Sequence, residues 1–404
     1  MIIRRFFFPL FILTACWLSA QQPALSPTPL TGALHIAPDG SGGLYATVFP
    51  GPEPAIVHLN ALGELRTLVT EKDVRHEHEH QEEGEFLLLH MPGEAWLSGD
   101  GARLLFPVFR HVHPWHVAEI MMIERGKPAS LLSIDQKLRY TLNGQTHDRY
   151  MINGRKAALA SDRLHVFSFL SAFPMSDLGE RQMGHLSPVS FAYRATALGA
   201  PADEITAYLD LDFEDPQYSV VEPGCMSRLN YLFGIGIPSV SFFQPPLFTI
   251  VHVDQQGKRE TQAADVLLGE NAFACGPNEA SVLYRDAAGR MHGLSAREGS
   301  GSRSFFDGNT IGGYPIGEVS HHSVSVEGLH HFVMKAPDGT QGVFTIDAQG
   351  RATTVLAPGF AGPGRVVKGM AVSGTRLYLL TDILTAQLPA NNARVLTITP
   401  GSGP

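Results

Sequence analysis

The chain contains 18 histidines, and two groups of them have a spacing that suits metal chemistry. His76, His78 and His80 alternate with Glu77 and Glu79, while His111, His113 and His116 surround Pro114 and Trp115. In an extended backbone every second side chain points the same way, so the first three histidines project together, as do His111 and His113. Neutral imidazoles are good ligands for zinc or copper, and Glu82, Glu83 or Glu85 can add oxygen ligands or orient the rings. His111 and His113 are the better candidates, because Pro114 restricts their backbone. The plainer alternative for the first group is a solvated, His/Glu-rich surface loop. A zinc or other divalent ion held by these side chains lowers the pKa of bound water and polarises a carbonyl, with Glu82 placed to take the proton.

Other polar groups carry less. Asp210, Asp212, Glu214 and Asp215 lack the spacing of an EF-hand loop. Gly234-Ile235-Gly236 is a turn and belongs to no phosphate-binding fingerprint. No complete catalytic motif is present, so the catalytic residues are unassigned and no organic cofactor is implied. The net charge of −9 excludes a nucleic-acid partner, which needs a basic face.

Three cysteines are few for a stapled fold. Cys16 sits in Leu13-Thr14-Ala15-Cys16, which resembles the bacterial lipobox and marks Cys16 as a candidate lipidation site. The competing ordinary signal-peptidase site is Leu18-Ser19-Ala20. Either way residues 1–20 read as a secretory signal: Arg4 and Arg5 precede an apolar run too short to span a bilayer. Residues 21–31, rich in Pro, Gln and Ser, read as a linker. Cys225 and Cys275 could pair in an oxidising compartment, but they are expected in different modules, beyond the Cα spacing a disulfide tolerates, about 7 Å at most, and two buried thiols are the plainer alternative.

The elements that must position the histidines are short strands. With 41 glycines, 28 prolines and 17% charged residues, the chain has many tight turns and no long amphipathic helix pattern. The clearest unit is Val319 to Leu356. Its four β-rich runs are joined at Glu327-Gly328, Pro337-Asp338-Gly339 and Ala348-Gln349-Gly350, which makes a four-stranded antiparallel meander of propeller-blade size. Similar units occur at Ala33–Thr70, Glu94–Ile134, Lys156–Leu211, Leu229–Leu268, Asn271–Phe306 and Val366–Thr399. Asx-x-x-Gly turns recur at Asn60–Gly63, Asp254–Gly257, Asp286–Gly289 and Asp347–Gly350; the Asx caps each turn and the Gly takes its left-handed position. These repeats broadly resemble NHL-like and TolB-like propellers over nearly the whole chain after the leader. The fold class expected for residues 32–404 is therefore all-β, a single seven-bladed β-propeller, with six or eight blades or a β-sandwich array as alternatives.

In a blade, the connections between second and third strands and between blades share one face. Residues 71–93, 111–115, 135–153, 171–188, 212–227 and 307–318 all fall there, and long loops on one side of a rigid scaffold are where binding and catalysis usually sit. His321 and His322 are expected near that face, on an innermost strand where at most one of them faces the channel. The main expectation is an exported, extracytoplasmic binding or scaffold protein, whose long-loop face meets an envelope protein or glycan and whose only membrane contact is a lipid anchor. The alternative is a metal-dependent hydrolase, lactonase or lyase using the histidines of the same face.

Overall fold

The computed structural model describes residues 25–48, 55–70, 247–253, 259–276, 279–297, 301–383 and 393–398, together with the backbone of strands between residues 87 and 237. Among these residues there are strands and turns but no helix, and hence none long and apolar enough to cross a membrane.

The described chain opens with β1 (Leu25–Thr31). A four-stranded sheet follows: β2 (Ala33–Pro38), β3 (Leu44–Val48), β4 (Ala55–Leu59) and β5 (Leu65–Thr70). Next come β6 (Leu87–Leu89), β7 (Trp96–Leu97), β8 (Arg103–Val112), β9 (Trp115–Glu124) and β10 (Ser130–Leu132), which form one sheet. Another contains β11 (Lys137–Leu142), β12 (Gln145–Ala160), β13 (Arg163–Leu170) and β14 (Ser190–Ala197). β15 (Val220–Ser227), β16 (Asn230–Ile237) and β17 (Leu247–Val253) pair in order with the first half of β18 (Arg259–Gly276). The second half of β18 starts a sheet with β19 (Glu279–Arg285), β20 (Met291–Arg297) and β21 (Gly301–Gly308).

A small hairpin, β22 (Thr310–Ile311) and β23 (Tyr314–Pro315), turns at Gly312 and Gly313, whose φ values of 56° and 85° suit a two-residue hairpin loop. Then come β24 (Glu318–Val324), β25 (His330–Lys335), β26 (Gln341–Ile346) and β27 (Ala352–Leu356). The chain ends in β28 (Arg365–Ser373), β29 (Arg376–Ile383) and β30 (Arg394–Ile398).

Period-two alternation explains why these sheets stack. On β25 and β26, Phe332, Met334, Phe344 and Ile346 join a core with Leu283, Met291 and Phe305 of the preceding sheet. The intervening Val333 and Val343 join a different core with Val367, Leu377 and Leu379 of the following one. The β24–β27 sheet is thus apolar on both faces and buries both against neighbours.

The last sheet meets the first in the same way. Leu30, Ile36, Leu44 and Ala46 share a core with Ala371, Tyr378, Leu380 and Val395. β1 is the fourth strand of that last sheet, paired antiparallel with β30 through Leu25↔Ile398 and Pro27↔Leu396. Residues 25–31 are therefore not the linker expected from composition. An edge strand tolerates the missing N–H of Pro27 and Pro29, and the bulge between Pro27 and Thr31 carries Leu30 to a position only 1% exposed.

Other boundaries also moved. Residues 135–153, expected as a loop, contribute the β11–β12 hairpin, and β12 runs on to pair with β13. The sheet expected to begin at Leu229 begins at Val220, so Cys225 lies within β15, opposite Leu232, while Cys275 lies on β18, opposite Ala280. The Asx turns form as expected: Asn60 Oδ1 accepts the N–H groups of Leu62 and Glu64, and Asp286 and Asp347 repeat the pattern. Asp254–Gly257 and Ile205–Leu211 lie outside the described residues.

Closure also has a polar component. The Ser373 hydroxyl donates to Asp39 Oδ1 at 2.8 Å and accepts the N–H of Gly42 at 3.0 Å. The buried Tyr378 hydroxyl donates to the Gly42 carbonyl at 2.7 Å, and Arg376 donates to the Ala61 carbonyl at 2.6 Å. Removing the Tyr378 hydroxyl as Tyr378→Phe is expected to cost about 1–3 kcal/mol, because the buried Gly42 carbonyl loses a donor; urea unfolding measures it. Tyr378→Ala should cost about 3–5 kcal/mol through the added cavity.

Candidate functional site

β8 and β9 form a tight hairpin in which His111 pairs with His116 and Val112 with Trp115. Residues 111 and 116 are thus directly opposite each other at the hairpin end. His113 lies outside the described residues, as do His76, His78, His80, Glu82, Glu83, Glu85 and Cys16. One backbone fact nonetheless links the two histidine groups. The segment carrying His76 to His80 rejoins the sheet as β6, where Leu87 pairs with Arg110, the residue before His111. At its other end that segment leaves β5 at Thr70, which pairs with Ala55 at the start of β4. The chain therefore passes from the second-to-third-strand end of one sheet to the same end of the next. No group of three or more potential metal ligands occurs among the described residues.

His321 and His322 are both buried on β24, and they reach opposite neighbours. Ser320 is bulged out of register there, between the pairs Val319↔Met334 and His321↔Val333. His321 bonds the backbone of Lys368 on β28, with Ser320 Oγ 3.2 Å from its Nδ1. His322 points the other way, with Nδ1 3.0 Å from the Ala272 carbonyl of β18 and Nε2 3.2 Å from His330 Nδ1. His330 begins β25, just past the turn where the Gly328 N–H bonds Ser325. His322 therefore sits at the first-to-second-strand end of its sheet, not near the long-loop face where it was expected.

Two carboxylate–imidazole pairs repeat one design. His58 Nε2 lies 2.9 Å from Asp39 Oδ2 and its ring stacks on Tyr45; His292 Nε2 lies 3.1 Å from Asp286 Oδ2 and its ring stacks on Tyr284. Burial opposes the charge on Asp39, but bonds from His58, Ser41 and Ser373 outweigh it and hold the carboxyl well below its ordinary range. Sequence reading missed the Asp39 site because Ser373 is distant along the chain, and only the Pro38-Asp39-Gly40 turn hinted at it. These pairs brace turns.

No protein-family model matches the sequence, and no curated protein matches it. The fold is similar to that of oligogalacturonate lyase from Vibrio parahaemolyticus, with a TM-score of 0.55 at 9% identity, over 95% of this chain and 96% of that one. It is also similar to Pyrococcus horikoshii acylaminoacyl peptidase (TM-score 0.53, 11% identity, 92% of this chain and 53% of that one). Prolyl oligopeptidase B from Galerina marginata gives a TM-score of 0.50 at 12% identity, over 93% of this chain and 51% of that one. The chain spans about half the length of these two peptidases. At such identities the likeness is one of fold: an all-β protein of antiparallel four-stranded sheets, of the β-propeller class.

Burial of His321 depresses its pKa to about 4, the Lys368 charge adding to this and the bond to the Lys368 backbone opposing it. Between about pH 6.5 and 4 the unfolded chain then binds the proton and the folded chain does not, so this residue's contribution is complete above that window and shrinks as pH falls through it. At pH 4.5 it should cost about 2–3 kcal/mol relative to pH 7. Urea midpoints at the two pH values check this, and His321→Gln should lose that share of the acid sensitivity.

Proposed function

We propose that this chain is an exported lyase or hydrolase acting on a carbohydrate acid or lactone. In this reading it is a seven-bladed propeller with its site on the face that carries the loops between second and third strands. The observation that carries the proposal is the register of β6. Pairing of Leu87 with Arg110 ties the segment holding His76, His78 and His80 to the hairpin where His111 opposes His116. His111, His113 and His116 are the first ligands proposed for zinc or another divalent ion, with His76, His78 and His80 as further ligands or a cover. That donor set fits borderline metals, which take imidazole and carboxylate together.

A bound ion supplies Lewis acidity toward a substrate carboxylate or carbonyl. The chain's own part is to orient the imidazoles through the hairpin and to present a carboxylate, Glu82 or a neighbour, as general base. The nearly full-length fold match to oligogalacturonate lyase, against half-length matches to the peptidases, supports a reaction on sugar acids over peptide cleavage. The proposed setting is extracytoplasmic, after removal of residues 1–20 or lipidation of Cys16, with envelope or environmental glycans as substrates.

Elemental analysis of untagged protein tests this together with assays on oligogalacturonate, read by ultraviolet absorbance of an unsaturated product, and on sugar lactones. One divalent ion per chain and turnover of one substrate class are expected. His111→Ala/His113→Ala should lose the ion and at least about a hundredfold in rate, the scale of removing a group that acts on the transition state. Metal-free protein that turns over no substrate yet captures a defined envelope protein or glycan would instead make this a binding propeller.

A further inference from the structure

Cys225 and Cys275 stand on the two sides of one junction, between the sheet that begins with β15 and the sheet that begins with the second half of β18. Cys225 pairs with Leu232, and Leu232 with His252. Two residues along, Gly234 pairs with Ile250, and two further still Gly236 pairs with Phe248. Residues two apart in a strand share a face of the sheet, so Cys225 lies on the face that carries Phe248 and Ile250. Across the junction, Cys275 pairs with Ala280, and Ala280 with Ala296. Phe248 and Ile250 share one buried core with Phe273, Ala280 and Ala296. The face that carries Cys225 is therefore packed on the face that carries Cys275.

The two positions also share a level. β15 and the second half of β18 are the first strands of their sheets and run the same way. Cys225 lies two residues before Ser227, whose pairing with Asn230 closes the β15–β16 hairpin; Cys275 lies one residue before Gly276, whose pairing with Glu279 closes the β18–β19 hairpin. The offset is one residue, about 3.3 Å along a strand. Sequence reading set the cysteines too far apart because it began this sheet at Leu229 and left Cys225 outside it.

Sideways separation is small as well. β15 comes within 8 Å, Cα to Cα, of residues in both β18 and β19. The first half of β18 is three strand spacings from β15 across their common sheet, roughly 14 Å, so this approach is made by the second half. Small residues permit it: Gly234 and Gly236 of β16 share the face of Cys225, Ala280 and Ala296 share that of Cys275, and β16 also comes within 8 Å of β19 and β20. A disulfide spans about 4.4–6.8 Å between Cα atoms. Elsewhere the first strands of successive sheets are tied by polar contacts at the same hairpin end, His322 of β24 to the Ala272 carbonyl and Ser373 of β28 to Asp39 beyond β2. Between β15 and β18 the residues at that end are the two cysteines.

We propose that Cys225 and Cys275 form a disulfide that staples these two sheets together, at the end opposite the face proposed to carry the site. This inference goes beyond the functional reading, and an exported chain meets the oxidising conditions that such a bond needs. The bond forms in two exchange steps. One cysteine thiolate attacks a small disulfide such as oxidised glutathione and releases half of it as a thiolate; the second cysteine thiolate then displaces the other half from the mixed disulfide. The two cysteines lose two protons and two electrons, and the oxidant is reduced to two thiols. Closing residues 225–275 into a loop restricts the unfolded chain and so favours the folded one.

The test is peptide mass spectrometry on the folded full-length chain after equilibration with oxidised glutathione, the protein then being unfolded in an alkylating agent without reductant. A peptide pair joined through Cys225 and Cys275, and separated by reduction, is expected. Alkylated or glutathione-bearing Cys225 and Cys275 would overturn the proposal, as would a bridge from either to Cys16 or to a second chain. This readout needs no variant to fold and does not depend on where the chain resides. In urea, the oxidised chain should have a folding constant about a hundredfold or more above that of the reduced chain, and reductant should leave the midpoints of Cys225→Ala and Cys275→Ala unmoved. A wild-type midpoint that reductant does not move would likewise overturn the staple.

Discussion

Every well-described sheet in this chain is apolar on both faces, and that constraint governs the rest of the structure. Val333 and Phe332 are successive residues of β25 buried in different cores, so the β24–β27 sheet cannot be stable without a partner on each side. Adding sheets only passes the unburied face along the array, and bringing the last sheet against the first removes it. Here Tyr378 and Leu380 meet Leu44 and Ala46 across that seam. Because the seam joins two ends of one chain, it is also where a long loop must be closed against its entropy. The seam is correspondingly tied by the β1–β30 ladder and by the Asp39–Ser373 and Tyr378–Gly42 hydrogen bonds.

Closure also fixes the direction of every connection, which matters for function. Once strand order and direction repeat, loops between second and third strands emerge on one face. The β8–β9 hairpin and the segment entering β6 come to the same end of one sheet because both obey this rule. The polar groups at the other end have a different character. Asp39, His58, Glu279 and His330 are engaged with one another or with turn backbone, and they brace joints between elements. The histidines at this end are thus structural, and those proposed as ligands belong to the opposite end of their sheet.

The meander at residues 318–356 was readable from the sequence because local signals agreed: alternating apolar residues, Asx turns and glycines with positive φ all marked the same boundaries. β1 was misread because its two prolines argue against a strand everywhere except at an edge, and the partner that makes it an edge strand is β30, at the other end of the chain. β15 was missed because Val220–Ser227 includes a proline and a glycine at a register shift. Of the candidate site, residues 111–115 were read as a loop, whereas β8 and β9 extend into that stretch and pair His111 with His116. The attachment of the other histidine segment through Leu87 depends on a three-residue strand with no sequence signature. The contact of His322 with the Ala272 carbonyl was unreadable for the same reason as the seam: its members belong to different sheets, and spacing within one sheet says nothing about contact with the next.

The claim on which the functional account rests is that the two histidine segments share one rim. Pulsed electron resonance between spin labels at Glu77 and Val112, with Cys225 and Cys275 replaced by serine, measures this directly. Ligand bonds to one ion are about 2 Å long, so allowing for side-chain and label arms the account predicts a main distance below about 20 Å. A narrow distribution centred beyond about 35 Å would contradict it, since ligands so far apart cannot meet on one ion.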